Sequence, residues 1–272
     1  MLPTLFTWGS IRFPTLAVVT FFAMLVGAFV FWRKTRQENY PEASVFDGWI
    51  LAQMFGLVMA RLAFVGLHFD QFSWQMWDWL NWWGKPGLFV PVSLLASAWY
   101  LWRFAKKNKW DEFELLDFWS LGAVATWFLL FCGFFLDGSF VGMPANLPWS
   151  VMLPGMVEKT HPASLYAAGG MLLTWWYLSW TEFRYRTFDW YRAGKQTAQT
   201  GFLFSVWLIG FGAIATAISF VRLPEMMVQL WSKNWALDPF FYGSIFIFGV
   251  ISLWVRSGRT FGFSAKKKLR VS

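Results

Sequence analysis

The sequence predicts an all-α polytopic membrane protein with seven transmembrane helices, the N-terminus outside and the C-terminus in the cytoplasm. Hydrophobic residues make up 57% of the 272-residue chain and charged residues only 14%, so one soluble core could not bury the apolar surface. The apolar residues fall in runs of about 20, the length that crosses a bilayer as a helix. Many of the 22 tryptophans lie near the ends of these runs, where their rings favour the headgroup level.

Seven apolar runs give the predicted spans. They cover residues 13–32, 48–69, 87–105, 115–136, 164–182, 201–221 and 238–256. Charged or turn-forming residues bound each of them. These boundaries are the basic cluster 33–36, Asp47-Gly48, Pro86-Gly87, the acidic stretch 111–114, the basic stretch 184–186, Gly201 and the lysines at 266–268.

The distribution of positive charge sets the predicted orientation. Of the 23 Lys and Arg residues, 17 follow spans one, three, five and seven, five lie on the opposite side, and Arg61 lies within span two. Because positively charged loops stay in the cytoplasm, the N-terminus is expected outside and the C-terminus inside. No segment between the spans is long enough for a soluble core, so we expect a single transmembrane domain over 1–272.

Composition also excludes several classes of site. A single cysteine, Cys132, excludes an internal disulfide and a cysteine-based metal site, and two separated histidines give no zinc spacing. We therefore expect no metal and no cofactor. The net charge of +8 is confined to particular loops and does not argue for a nucleic-acid partner. A small transporter or channel subunit is disfavoured, since paired intramembrane carboxylates and an inverted repeat are missing.

The stretch Thr160-His161-Pro162-Ala163-Ser164-Leu165-Tyr166 lies between a proline-rich loop and the fifth span. Pro162 suits the first position of a helix, because its missing N–H would have no partner there. His161 is then expected at the outer membrane surface, where an imidazole can take or give a proton near neutral pH. The alternative is that His161 only caps the helix or binds an interfacial water.

Arg61 is the most unusual residue of the second span. An arginine at a helix centre costs about 2.5 to 3.5 kcal/mol on insertion scales, so it needs a partner or a wet cavity. Its planar guanidinium suits a lipid phosphate, which it can hold bidentately. The alternative partners are Asp137, Asp117 or unpaired backbone carbonyls.

Small and charged residues collect at the outer ends of the spans. The glycines around Asp137-Gly138, up to Gly142, indicate irregular backbone that lines a cavity. Asp137 could pair with Arg61 or accept a proton, or Asp137-Gly138 could be an ordinary turn. Arg222 closes span six on the same side and could equally be a snorkelling arginine. Gly210-Phe211-Gly212 favours close helix packing.

In their order along the chain, these motifs resemble the prolipoprotein diacylglyceryl transferase family over about residues 15 to 255. Residues 60–64 are similar to its Gly-Arg-Leu/Ile-Gly-Tyr segment, and residues 85–88 fall where it has His-Gly-Gly-Leu. Residues 133–142 fit the frame of its glycine-rich signature. Residues 161–166 match His-Pro-x-x-Leu-Tyr-Glu, and residues 220–225 resemble its Phe-Arg-x-Pro-Asp motif.

The resemblance implies a reaction and a site. The family moves diacylglyceryl from phosphatidylglycerol to the cysteine thiol of a lipobox, in the plasma membrane of bacteria. The implied partners are therefore phosphatidylglycerol, prolipoprotein signal segments and membrane lipid. The implied catalytic residues are His161, Tyr166 and Asp137, with His161 as proton acceptor. The implied headgroup-binding residues are Arg61, Lys85, Arg222, Gly138 and Gly142.

Several positions depart from the family pattern. Polar groups that the family uses in catalysis are replaced at Phe131, Phe134, Ser139, Ala215 and Ser219, and Lys85 stands where the family has a histidine. The departures leave two interpretations open. The chain is either a divergent transferase or a catalytically inactive relative that binds phospholipid or lipoprotein signal segments.

Overall fold

The computed structural model describes residues 2–9, 11–72, 74, 76–81, 84–153, 156–185, 199–223, 227 and 236–256. Residues 186, 224–225 and 266–268 of the sequence patterns lie outside this set. The elements are β1 (Thr4–Trp8), β2 (Ile11–Pro14), α1 (Thr15–Gln37), α2 (Glu42–Leu67), α3 (Phe69–Phe72), α4 (Met76–Leu80), α5 (Val90–Lys107), α6 (Glu112–Asp137), α7 (Ala163–Tyr185), α8 (Phe202–Ser219) and α9 (Asp238–Arg256).

Each of the seven predicted spans coincides with a long helix, and the prediction of a mostly helical membrane protein is confirmed. Among the described residues, five helices are long and apolar enough to cross a membrane: α1, α2, α6, α8 and α9. The other two long helices are more polar by composition. Helix α5 ends in Arg103, Lys106 and Lys107, and α7 is rich in Trp, Tyr and Thr.

The structure agrees with the predicted all-α polytopic membrane protein, and the N-terminus adds a short β-hairpin. Strands β1 and β2 pair antiparallel, with Trp8 opposite Ile11 and with Gly9 between them at φ +61°. Thr and aromatic residues, which favour extended backbone, fill β1. The hairpin is fixed to the bundle by a hydrogen bond of 2.8 Å from Leu2 N to Leu136 O at the end of α6.

Helix α6 is the central helix, with α1, α5, α7 and α8 packed around it. In its first turns, the buried carboxylate of Asp117 accepts hydrogen bonds of 2.8 Å from both Gly201 N and Phe204 N. These N–H groups belong to the first turn of α8, where a helix has unpaired donors and favours negative charge. Asp117 therefore fixes the start of α8 against α6.

The predicted close packing at Gly210-Phe211-Gly212 is confirmed. A β-carbon on Gly212 would lie 2.5 Å from the backbone nitrogen of Phe246 in α9, and one on Gly210 would lie 2.8 Å from Thr174 in α7. Small residues let helix backbones approach in this way. As a result α7, α8 and α9 lie close together beside the cavity described next.

Candidate functional site

A cavity of about 710 Å³ lies where one end of each of the seven long helices converges. That volume falls in the range of ordinary small-molecule sites. These are the helix ends that the distribution of Lys and Arg residues predicts to lie on the outer side of the membrane. One lining residue from each helix, in chain order, is Leu16, Phe64, Pro91, Trp127, Met171, Phe211 and Tyr242.

Five of the six positions at which family polar groups are replaced line this one cavity, and Lys85 does not. The five are Phe131, Phe134, Ser139, Ala215 and Ser219. They come from α6, the loop after it and α8, so they are far apart in sequence. Phe131, Phe134 and Ala215 are apolar, and they contribute to the wall. The family pattern therefore identified one contiguous region, whose surface here is mainly apolar.

Arg222 provides positive charge to the cavity. Its Nη1 lies 3.6 Å from Asp238 Oδ2, and its guanidinium lies 4.4 Å from the ring centre of Phe140. The Nε of Arg222 is buried and has no hydrogen-bond partner among the described residues. Burial lowers the pKa of Arg222, while the Asp238 carboxylate and the neighbouring Tyr242 act to raise it.

Arg61 has backbone carbonyls as partners, which was one of the alternatives left open by the sequence. The side chain is buried, and Nε donates to Trp79 O at 2.8 Å, while Nη1 donates to Gly87 O at 3.0 Å. Nη2 donates longer hydrogen bonds to Asp78 O and Asn81 O. Gly87 lines the cavity, but Arg61 is not among the lining residues. Arg61 thus holds the loop that forms the wall.

Lys85 is brought next to Arg61. Both cations contact the ring of Phe72, at 5.1 Å for the Arg61 guanidinium and 5.3 Å for Lys85 Nζ. Lys85 Nζ also lies 2.6 Å from Asp78 Oδ2 and donates to Gln71 O at 2.8 Å. Two of the three predicted headgroup cations therefore meet at one aromatic ring, whereas Arg222 lies in the cavity.

His161 and Tyr166 lie together in the loop and first turn of α7, outside the cavity lining. Nδ1 of His161 is 3.4 Å from Tyr166 Oη, which accepts a hydrogen bond of 2.7 Å from Trp149 Nε1. Pro162 immediately precedes α7, one position before its expected place at the first helical residue. The pair therefore connects the loop between α6 and α7 to the first turn of α7.

Gly142 connects the His161 loop to Arg222. It forms an antiparallel bridge with Arg222. At the next residue, Met143 N donates to Val221 O, and Met143 O accepts from His161 N. A β-carbon on Gly142 would lie 2.4 Å from the carbonyl oxygen of His161. Only glycine fits between these two segments.

Asp137 and Gly138 form the end of α6. Gly138 has φ +81°, the left-handed conformation that favours glycine, and its N–H donates to Phe134 O at 2.9 Å. This is the turn that the sequence left as an alternative. Asp137 is not among the residues that line the cavity.

Sequence reasoning gave no role to His68 and missed Asp238 and Tyr242, all of which line the cavity. His68 Nδ1 lies 3.0 Å from Phe64 O, a contact in which Nδ1 can only be the donor because a carbonyl oxygen carries no proton. The signal for Asp238 and Tyr242 was their spacing, because residues four apart in α9 share one helix face. Their link to Arg222 depends on tertiary structure.

Comparison with known proteins matches this sequence to one family over nearly its whole length. The family model for prolipoprotein diacylglyceryl transferase matches residues 3–255. A phosphatidylglycerol–prolipoprotein diacylglyceryl transferase of Finegoldia magna is 26% identical over 155 residues, which is 55% of this chain and 59% of the relative. The transferase of Zymomonas mobilis is 28% identical over 66% of this chain and 60% of the relative. That of Parasynechococcus marenigrum is 22% identical over 89% of this chain and 83% of the relative. The first two alignments thus span about three-fifths of the relatives' length.

Proposed function

This chain belongs to the prolipoprotein diacylglyceryl transferase family, and from that we propose that it is a divergent member which transfers diacylglyceryl from phosphatidylglycerol to a lipobox cysteine. The observation that carries this proposal is the cavity itself. Its apolar wall suits acyl chains, and Arg222 lines it with a guanidinium whose Nε has no hydrogen-bond partner among the described residues. An arginine is well suited to a phosphodiester, because its donors form a planar fork.

The reaction requires a nucleophilic sulfur and a stabilised leaving group. The lipobox thiol loses its proton to a base, and the sulfur attacks the glyceryl carbon that carries the phosphate. The carbon–oxygen bond breaks, glycerol phosphate leaves with the electron pair, and a thioether forms. In this proposal Arg222 holds the phosphate charge as it grows on the leaving group.

We propose His68 as the proton acceptor. The sequence favoured His161 with Tyr166 and Asp137, but these three residues do not line the cavity, whereas His68 does. The Phe64 carbonyl holds the imidazole in the tautomer whose Nε2 can accept a proton. In this proposal His161 and Tyr166 position the outer loop, and Gly138 and Gly142 provide the turn and the close approach that bring it to Arg222.

Arg61 and Lys85 act in this proposal by fixing the loop before α5. Their donors are directed at five backbone carbonyls and at the Asp78 carboxylate, so they shape the wall that faces the lipid headgroup. The carbonyls are those of Gln71, Asp78, Trp79, Asn81 and Gly87. Because Asp78 offsets Lys85, one net positive charge remains, and it favours an anionic lipid over a zwitterionic one at this surface. Lys85 thereby substitutes in part for the histidine that the family has at this position.

The topology of the proposal has seven spans, with the N-terminus outside and the C-terminus inside. The excess of basic residues in four loops supports it. The whole chain then forms one transmembrane domain in the bacterial plasma membrane, and the cavity opens in the outer half of the bilayer. Secreted prolipoproteins present their signal segments on that side.

A second candidate function is a catalytically inactive relative that binds phospholipid or lipoprotein signal segments. The observation in its favour is the apolar wall at Phe131, Phe134 and Ala215, where the family uses polar groups. Both candidates predict lipid binding in the cavity, and only the first predicts transfer. Restoration of lipoprotein modification in bacteria depleted of their own transferase distinguishes the two.

A further inference from the structure

A second cavity, of about 350 Å³, lies between α1, α6 and α7. It is formed by the last turns of α1 around Phe29, Arg33 and Lys34, by Leu121 of α6, and by the end of α7 around Glu182. The first cavity begins at Leu16, near the start of α1. The 17 residues between Leu16 and Arg33 correspond to about 25 Å along a helix axis, so the two cavities lie at opposite ends of the bundle.

We propose that this second cavity binds the phosphate of an anionic phospholipid from the leaflet opposite the first cavity. Its charged end contains Arg33, Lys34 and Glu182. Lys34 Nζ lies 2.7 Å from Glu182 Oε2, so these two charges offset each other, and their side chains are only 23% and 10% exposed. Arg33 has no ion-pair partner among the described residues, which leaves one positive charge to face a ligand.

The shape of this site favours a lipid over a soluble anion. One turn before Arg33, the cavity wall is formed by Phe29 and Val30, and across from them by Trp175 and Phe183. Phe29 and Phe183 are 54% and 62% exposed, so the opening is bordered by apolar side chains that would face acyl chains. A phospholipid bound here would place its headgroup at Arg33 and its acyl chains against these rings.

The charge of the site selects the class of lipid. One positive charge in excess pairs with a phosphodiester whose headgroup carries no ammonium, as in phosphatidylglycerol. The ammonium of phosphatidylethanolamine would have to compete with Lys34 for Glu182. Positive residues at this end also agree with the proposed cytoplasmic side, where anionic lipid attracts each Lys or Arg near the surface.

The test uses the full chain purified in detergent with mixed phosphatidylglycerol and phosphatidylethanolamine, and native mass spectrometry counts the lipids that stay bound. We expect Arg33→Gln to lower retention of phosphatidylglycerol by about fivefold at this site. Arg36→Gln is the matched control, because Arg36 lies in the same last turn, is 62% exposed and pairs with Glu42 outside the cavity. Equal loss in both variants would mean diffuse surface charge and would overturn the proposal.

Two further variants test whether the loss of bound lipid comes from the first cavity or from a change of charge alone. Arg222→Gln should remove a different bound lipid, so that its effect and that of Arg33→Gln add. Loss in Arg222→Gln alone would overturn this inference and leave the proposed function intact. Val30→Trp keeps every charge but fills the cavity, and retention should fall as it does in Arg33→Gln. If glycerol phosphate without lipid binds as well as phosphatidylglycerol, the site takes a soluble phosphate and the lipid proposal is wrong.

Discussion

Arg61 donates a hydrogen bond of 3.0 Å from Nη1 to the carbonyl of Gly87, a residue of the cavity wall. The partner explains how a buried arginine persists in an apolar helix, since its donors are satisfied by backbone carbonyls. Gly87 itself has φ +152°, and a β-carbon there would lie 2.1 Å from the ring of Phe64. The hydrogen bond from Arg61 and the close contact of Gly87 with Phe64 therefore both hold the loop against α2.

Arg61→Lys should destabilise the protein, although it keeps the charge. A single ammonium cannot reproduce the forked hydrogen bonds to Trp79 and Gly87, and a buried hydrogen bond from a charged group is worth about 2 kcal/mol. We expect the midpoint of thermal unfolding, followed by tryptophan fluorescence, to fall by about 5 °C. Arg103→Lys, at an exposed position of α5, should leave it unchanged. Equal midpoints for the two variants would contradict the positioning role.

Arg222→Gln should weaken binding of phosphatidylglycerol relative to phosphatidylethanolamine by about fivefold. Because the change also leaves Asp238 without its cation, Arg222→Lys is measured beside it and should recover part of the preference. Arg12→Gln, on the exposed surface of the hairpin, serves as control. Native mass spectrometry with mixed lipid gives the ratios, and a wild-type protein with no preference for anionic lipid would refute the role of Arg222.

Ala215→Phe should block the first cavity. Ala215 lines it, so a phenyl ring there would occupy space that the lipid needs. Ala213 is the matched control, because it lies on the exposed face of the same helix and Ala213→Phe adds the same volume outside the cavity. The lipid retained after purification should fall in the first variant only. Unchanged retention in Ala215→Phe would mean that lipid does not bind there.

Replacing each of the two histidines in turn distinguishes the proton acceptor from the residue that positions the loop. If His68 accepts the thiol proton, His68→Gln should lower the transfer rate by about 100-fold or more while phosphatidylglycerol still binds. His161→Gln should mainly reduce stability through its contact with Tyr166, and Tyr166→Phe should have a similar effect. Transfer to a lipobox peptide in detergent, measured at saturating lipid, provides the readout. A full rate in His68→Gln together with loss in His161→Gln would return the base role to His161.

The topology is tested by reporters in the loops. A fusion after residue 190 should be active only as a cytoplasmic reporter, because the positive charge of that loop retains it inside. A fusion after Ser150 should be active only outside. The reverse pattern would move the first cavity to the cytoplasmic side, where secreted precursors no longer meet it.

The sequence predicted the helices well and the contacts between them less well. Apolar runs located the seven long helices of the described residues. Five of these have the length and composition needed to cross a bilayer, which are visible in the local sequence. The partners of Arg61 were not predictable, since the carbonyls of Trp79 and Gly87 face it only after the loop folds back on α2. The pairing of Arg222 with Asp238 depends in the same way on how α8 and α9 pack.

The family pattern added positions that local composition could not. Phe131 and Ala215 are ordinary apolar residues by themselves, and only the pattern indicated that they belong to one site. The cavity lining brings them together with Arg222. His68 shows the limit of that pattern, because it matches no motif and is identified by geometry alone.

Diacylglyceryl transfer in the cavity at Arg222 is tested most directly in bacteria depleted of their own transferase. This chain is expressed there, and the mass of a reporter lipoprotein is followed. We expect the wild type to restore the diacylglyceryl thioether on the lipobox cysteine, and Ala215→Phe, present in the membrane at equal amount, not to restore it. If the wild type leaves the cysteine unmodified while the purified protein still retains phosphatidylglycerol, the chain is a lipid-binding relative and not a transferase.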